Sequence, residues 1–145
     1  MTIKEKQEAV VEEFSMFDDW MDKYAYLIDL GKELPVIDEK YKTQQFLISG
    51  CQSRVWLHAE LLDGKIVFTA DSDAVITKGI VSLLVRVLSG HTPREIVNAD
   101  FEFLNTIGLK DHLSPTRANG LQSMVKQIQL YARAFQLKSQ NLKHE

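Results

Sequence analysis

The chain has 145 residues, 45% of them apolar and 26% charged, with a net charge of −3. That length and composition are typical of a single globular domain with one core. A general nucleic-acid binder would need a surplus of basic residues to contact phosphates, and this chain has none. The composition is compatible only with a local basic patch. Because no apolar run of about eighteen residues occurs and the N-terminus is polar, we expect neither a membrane span nor a signal peptide, and a cytoplasmic location.

Cys51 is the only cysteine, and the four histidines are His58, His91, His112 and His144. A single thiol forms no intrachain disulfide and no CxxC site, and the histidines lack the spacing of zinc ligands. We therefore expect no metal and no bound cofactor.

Residues 1–34 are predicted to form two helices, because apolar residues recur there at every third or fourth position. Asp18 or Asp19 is a suitable N-cap for the second helix, and Gly31 followed by Leu34 and Pro35 is the predicted helix stop. Residues 38–45 are polar and predicted to form a loop or a short turn.

A β-hairpin is predicted next, with strands at 54–62 and 65–71 joined by a type I′ turn at Asp63 and Gly64. A two-residue turn sets a register in which three apolar pairs share one face: Leu61 with Ile66, Ala59 with Phe68, and Leu57 with Ala70. Trp56 could anchor the core or cover the outer face of the sheet, and we assign it to the core. Residues 46–49 are predicted to add a short third strand.

A third helix is predicted to begin at a cap formed by Ser72 or Asp73 and to run to about residue 89. It is apolar nearly all round, which is typical of a central, buried helix. Gly79 inside it costs about 1 kcal/mol relative to alanine and indicates that another element approaches closely.

Two further helices have clear N-terminal signals. Thr92 and Glu95 form a capping box, with proline at the first helical position. Ser114 and the proline after it open the last helix. We assign residues 1–137 to one α+β domain and residues 138–145 to a polar C-terminal tail.

Cys51 lies in a polar segment that the register places at the open end of the hairpin. Extending the pairing sets Arg54 opposite Asp73, so residues 49–53 form a loop beside the start of the third helix. The helix dipole there favours a thiolate, whereas a nearby carboxylate raises the pKa of a thiol. The sequence does not determine the direction of the net shift in the Cys51 pKa. The alternative is a structural cysteine, since free cysteines are usually buried.

The lone thiol limits the chemistry available. A hydrolase needs a base in reach, but His58 is on the order of 20 Å away along an extended chain, and His112 would have to be brought in by the fold. A disulfide reductase needs a resolving cysteine, and an Fe–S scaffold needs several thiolates. Carriage of a group from one protein thiol to another is what a single cysteine can do unaided.

Four blocks surround this cysteine in a specific order: ISGCQSRVWL at 48–57, ADSDAVITKG at 70–79, TPREIV at 92–97 and LSPTRANGL at 113–121. In these blocks the sequence resembles the SufE family of sulfur-acceptor proteins, over about residues 14–135. The resemblance implies a small three-stranded antiparallel sheet packed by five to six helices, similar to the U-type Fe–S scaffold proteins.

The resemblance also implies a function. Cys51 matches the family's sulfur-accepting cysteine, which takes a persulfide sulfur from a SufS-like cysteine desulfurase and passes it to a SufBCD-like Fe–S scaffold complex. The desulfurase is a pyridoxal-phosphate enzyme, and the acceptor stimulates it by clearing its persulfide. The positions implied to face the desulfurase lie in three segments, 50–53, 72–74 and 114–117. The site residues chosen from them, besides Cys51, are Gly50, Gln52, Ser53, Ser72, Asp73, Ala74 and Arg117.

Arg117 stands in the first turn of the last helix, where its charge opposes the helix dipole, which suggests a partner carboxylate. We expect the free Cys51 thiol to be partly sheltered against its loop. Two alternatives stay open: a module that activates the desulfurase without carrying sulfur, and a cysteine hydrolase with His112 as base. The paralogous desulfurase, the final sulfur acceptor and the oligomeric state, including a homodimer, are not determined by the sequence.

Overall fold

The computed structural model describes the main chain of residues 1–144 and the side-chain environments of residues 1–138. Within this range six α-helices pack around a two-stranded antiparallel sheet. The elements in chain order are α1 (Ile3–Ser15), α2 (Trp20–Lys32), β1 (Val55–Leu62), β2 (Lys65–Ser72), α3 (Val75–Leu88), α4 (Pro93–Asn98), α5 (Glu102–Thr106) and α6 (Pro115–His144). The α+β class is confirmed.

The C-terminal segment continues α6 as far as His144. The predicted tail at 138–145 falls mainly on side chains outside the described residues, so the domain boundary at 137 stays a prediction. No helix among the described residues is both long enough and apolar enough to cross a bilayer.

The hairpin has the predicted register. Leu57 pairs with Ala70 and Ala59 with Phe68, as the two-residue turn requires. Asp63 has a φ of 53°, and the glycine that follows it has a φ of 80°, as a type I′ turn demands. Because the paired apolar side chains share one face, that face is buried against α3.

The predicted third strand is wrong. Leu47 forms one isolated antiparallel bridge to Trp56, and the described residues form no third ladder. Residues Gln44–Phe46 form a 3₁₀ turn, and Gly50 has a φ of +88°, which bends the chain away from β1. Since only Leu47 and Ile48 are left to run beside β1, the segment is too short to form a strand.

The assignment of Trp56 to the core is also wrong. Alternation along β1 sends its side chain to the face opposite the core, where it is half-buried. Lys42 covers it there, with Nζ 5.7 Å from the ring centroid. Lys42 is held by Asp71, the cross-strand partner of Trp56, at 2.7 Å.

Glycines place α2 directly against α3. A Cβ on Gly79 would overlap the carbonyl oxygen of Leu27 and lie 2.6 Å from its carbonyl carbon. The close approach predicted from Gly79 is therefore confirmed. Asp19 caps α2, as predicted, and the helix continues past Gly31 to Lys32. The predicted stop is therefore confirmed, since the helix ends between Gly31 and the proline that follows it. Gly31 itself lies inside the helix, where it faces Gly79 and lets the two backbones touch.

Candidate functional site

The segment 49–53 forms a loop that lies on α6. Its two ends are held at the hairpin, where the backbone N–H of Ile48 donates to the carbonyl of Val55 at 2.8 Å. At the tip, Gly50 adopts a φ of +88°, and a Cβ there would overlap the hydroxyl oxygen of Ser123. Only glycine satisfies both constraints, because the conformation is left-handed and the loop touches the helix at this residue.

Cys51 follows Gly50 and rests on α6. Its Sγ–H donates to the carbonyl oxygen of Gly120 at 3.7 Å, and a Cβ on Gly120 would lie 3.5 Å from Sγ. The side chain is half-buried. The expected sheltering is therefore present, although the surface that provides it is α6 and not the loop itself.

The structure gives the direction of the Cys51 pKa shift, which the sequence left open. Burial raises the pKa of the Cys51 thiol above its ordinary value. The hydrogen bond to Gly120 agrees with this, because a carbonyl oxygen accepts a hydrogen bond from a neutral thiol and has no hydrogen to donate to a thiolate. In this conformation Cys51 is a neutral and weak nucleophile.

An open cleft of about 280 Å³ adjoins the thiol. The residues that line it come from the loop, from the first turn of α3 and from the start of α6: Cys51, Gln52, Ser53, Thr77, Ser114, Thr116, Arg117, Gly120 and Met124. Six residues of the predicted segments meet here: Cys51, Gln52, Ser53, Ser114, Thr116 and Arg117.

Sequence reasoning missed three lining residues: Thr77, Gly120 and Met124. Thr116, Gly120 and Met124 recur at intervals of four and so share a face of α6, a signal that was present in the sequence. Its significance depends on the loop lying across that face. Thr77 reaches the cleft only because α3 ends its first turn there.

The turn at 72–74 braces the base of the loop and does not line the cleft. Asp73 accepts the backbone N–H of Arg54 at 3.0 Å, and Ser72 donates its hydroxyl proton to the Arg54 carbonyl at 2.8 Å. The prediction that Ser72 or Asp73 caps α3 is wrong. Ala74 is the N-cap residue, without a side-chain cap, because both polar side chains are engaged with β1.

Arg117 is exposed at the rim of the cleft. Its backbone N–H donates to the hydroxyl of Ser114 at 3.3 Å, so Ser114 opens α6 as predicted. The guanidinium forms no ion pair with residues 1–138. Its charge is therefore available to a group that approaches from outside.

No histidine in the described range lies beside the thiol. The His112 ring stacks on Trp20 with centroids 4.0 Å apart, and its Nδ1 lies 2.9 Å from the Gly108 carbonyl. His58 stacks on Tyr41 on the outer face of the sheet. Because neither histidine lines the cleft, the arrangement lacks the cysteine–histidine pair of a hydrolase. Residues 1–138, whose side chains the structure describes, also contain no cluster of three or more metal-ligating side chains.

Two comparisons identify relatives by sequence. Residues 8–132 match the SufE family model, described as an Fe–S metabolism associated domain. The chain is 40% identical over 124 residues to an uncharacterised SufE-like protein of Rhizobium meliloti, covering 82% of this chain and 89% of that protein. It is 41% identical over 128 residues to one of Synechocystis, covering 88% and 80% of the two chains.

The fold also has a solved counterpart. A solution structure of a hypothetical protein from Thermus thermophilus superposes with a TM-score of 0.74 over 89% of this chain and 94% of that one. At 21% identity this likeness shows the fold alone. The family model and the sequence relatives carry the assignment: the chain belongs to the SufE family and is associated with Fe–S metabolism.

Proposed function

We propose that this protein is a sulfur acceptor: Cys51 takes one sulfur atom from the persulfide of a cysteine desulfurase and passes it to an Fe–S assembly scaffold. The observation that carries the proposal is the setting of Cys51. It is the only cysteine, it lies on a loop at the edge of an open cleft, and neither a second thiol nor a lining histidine accompanies it. Sulfur exchange with a cysteine of another protein needs neither a second thiol nor a histidine base.

The transfer step balances without an oxidant or a reductant. The thiolate of Cys51 attacks the outer sulfur of the desulfurase persulfide, forming a new S–S bond. The S–S bond of the desulfurase persulfide breaks, and the desulfurase cysteine leaves as a thiolate. The proton lost by Cys51 returns through solvent to that leaving thiolate. The products are the Cys51 persulfide and a free desulfurase thiol.

The surface around the cleft suits a protein partner. Arg117 offers its guanidinium at one rim, and we assign it to a carboxylate of the desulfurase. Val75, the first residue of α3, is 66% exposed beside the turn at 72–74. An apolar contact next to a charge-assisted one is typical of the central part of an interface. Docking there would bring the partner persulfide to the mouth of the cleft and speed the desulfurase by clearing its sulfur.

The proposal is tested by mass spectrometry of the intact protein after incubation with a pyridoxal-phosphate cysteine desulfurase and free cysteine. We expect a gain of about 32 Da, one sulfur atom, that a reductant reverses. Cys51→Ser should show no gain, while Glu60→Ala, a change on the exposed edge of β1, should load like the wild type.

Two outcomes would overturn the proposal that Cys51 carries sulfur. One is that the wild-type protein gains no mass. The other is that Cys51→Ser stimulates the desulfurase as well as the wild type without added reductant, which would make the protein an activating module.

A further inference from the structure

The loop and α6 meet through two reciprocal glycine contacts. Gly50 of the loop lies against the hydroxyl of Ser123, and Gly120 of the helix lies against Cys51. We call these four residues the loop–helix contact. At each point one partner has no side chain, so the loop backbone and the thiol lie directly on the helix surface.

The chemistry of this contact is selective for a neutral sulfur. The carbonyl of Gly120 is a hydrogen-bond acceptor, and the Cys51 thiol occupies it as a donor. A deprotonated sulfur at the same place would face that carbonyl with no proton to share, in a setting that is partly shielded from water. Both effects disfavour the charged form.

A persulfide fits the contact less well than a thiol. The added sulfur extends the side chain by about 2.0 Å, which is more than half of the 3.7 Å that now separates Sγ from the Gly120 carbonyl oxygen, so it cannot take the place of the thiol proton. A persulfide is also a stronger acid than a thiol, because the neighbouring sulfur stabilises the negative charge. The loaded side chain is therefore both larger and more readily ionised.

We propose that Gly120 and Ser123 are positioning residues that hold Cys51 on α6 only while it is an unloaded thiol, and that loading with sulfur moves the loop off the helix. This inference rests on the proposed function, since it concerns the loaded and unloaded states of the carrier. The adjoining cleft accepts the displaced sulfur: Arg117 supplies a positive charge, and Ser53 and Thr116 supply hydroxyl donors. The position of the loop therefore differs between the protein that carries sulfur and the protein that does not.

The first test compares amide hydrogen exchange of residues 49–53 in the free and loaded protein. Inorganic polysulfide serves as the sulfur donor: it transfers one sulfur to the thiolate and leaves as a chain one sulfur shorter, so no desulfurase is needed. We expect exchange in this segment to rise several-fold on loading and to return after reduction. Equal exchange in the two states would overturn the proposal.

A second test uses two substitutions at one position and measures alkylation of the free protein by iodoacetamide as a function of pH. Gly120→Ala adds a carbon at ordinary contact distance from Sγ and should label like the wild type. Gly120→Val fills the space around Sγ and should displace the thiol. We expect its labelling rate at pH 7 to rise roughly tenfold, because both access and thiolate fraction increase, and its pH profile to move to lower pH.

A Gly120→Val profile equal to that of wild type would refute the positioning role. Neither test uses a desulfurase, so their outcomes are separate from those of the carrier experiment. If polysulfide loads Cys51 and frees the loop but no desulfurase loads it, the proposed function fails while the positioning role stands.

Discussion

Replacing Gly79 by alanine should destabilise the protein even though alanine is the better helix former. The new Cβ would overlap the Leu27 carbonyl oxygen and lie 2.6 Å from the carbonyl carbon, whereas carbon atoms in ordinary contact are about 3.5–4.0 Å apart. Both atoms belong to helix backbones, which cannot rotate out of the way. The two helices must therefore separate by about 1 Å.

The magnitude follows from two opposing effects. Overpacking of this kind costs about 3 kcal/mol at a rigid backbone, and the gain in helix propensity returns about 1 kcal/mol. The separation would also weaken the hydrogen bond from Ser82 in α3 to the Leu30 carbonyl in α2, now 2.6 Å. We expect a net loss of about 2 kcal/mol, equivalent to about 8 °C in Tm for a domain of this size.

The measurement is urea unfolding followed by circular dichroism, with Gly31→Ala as the matched control. Gly31 faces the same crossing, but its Cβ would lie 3.1 Å from the Gly79 nitrogen, so we expect a loss within about 1 kcal/mol. A Gly79→Ala protein as stable as the wild type would refute the close packing of α2 on α3. A similar loss of stability in both variants would show that any added carbon at this helix crossing destabilises the protein, and that the overlap with the Leu27 carbonyl is not the cause.

Two further predictions concern the loop and the pH dependence of stability. Asp73→Ala removes the 3.0 Å hydrogen bond to the Arg54 N–H, a contribution of about 1 kcal/mol, so Cys51 alkylation should be about fivefold faster, whereas Asp73→Asn, which keeps an acceptor oxygen, should label at the wild-type rate. His91 is buried with its Nε2 unpartnered among the described residues; burial and then the charge of Lys6 lower its pKa. The folded state therefore resists its protonation, and stability is lost as pH falls below the pKa of histidine in the unfolded chain. Between pH 7.5 and 5.5 the wild type should lose more free energy of unfolding than His91→Gln, measured by urea titration at each pH, and equal losses would contradict this.

The parts of the fold that the sequence predicts correctly depend on local rules. The register of the hairpin follows from a two-residue turn and the alternation of apolar side chains. The capping box at Thr92 and Glu95 and the start of α6 at Ser114 likewise depend on residues three positions apart. The role of Gly79 could be inferred because glycine inside a helix lowers its stability, and a close neighbouring backbone is the usual reason for keeping it there.

The errors occur where a distant segment decides the outcome. Asp73 is a good helix cap by its position in the sequence, but the hairpin brings the Arg54 N–H to it, and its oxygen binds there. The third strand fails because Gly50 turns the chain toward Ser123 on α6. The direction of the Cys51 pKa shift was open for the same reason: the pKa is raised by burial, and Gly120, which packs on Cys51, lies far along the chain.

These contacts together explain how a carrier cysteine can be both protected and usable. A thiol that is permanently exposed as a thiolate would be oxidised or alkylated in solution, and a fully buried one could not reach a partner. Here the base of the loop is fixed by the Asp73–Arg54 hydrogen bond, while its tip is held by a weak S–H donor at 3.7 Å. The tip of the loop should therefore separate from α6 before the base of the loop moves. In the transfer that we propose for Cys51, a docking partner would need to supply only the free energy that releases residues 49–53, and the hairpin beneath them would stay intact.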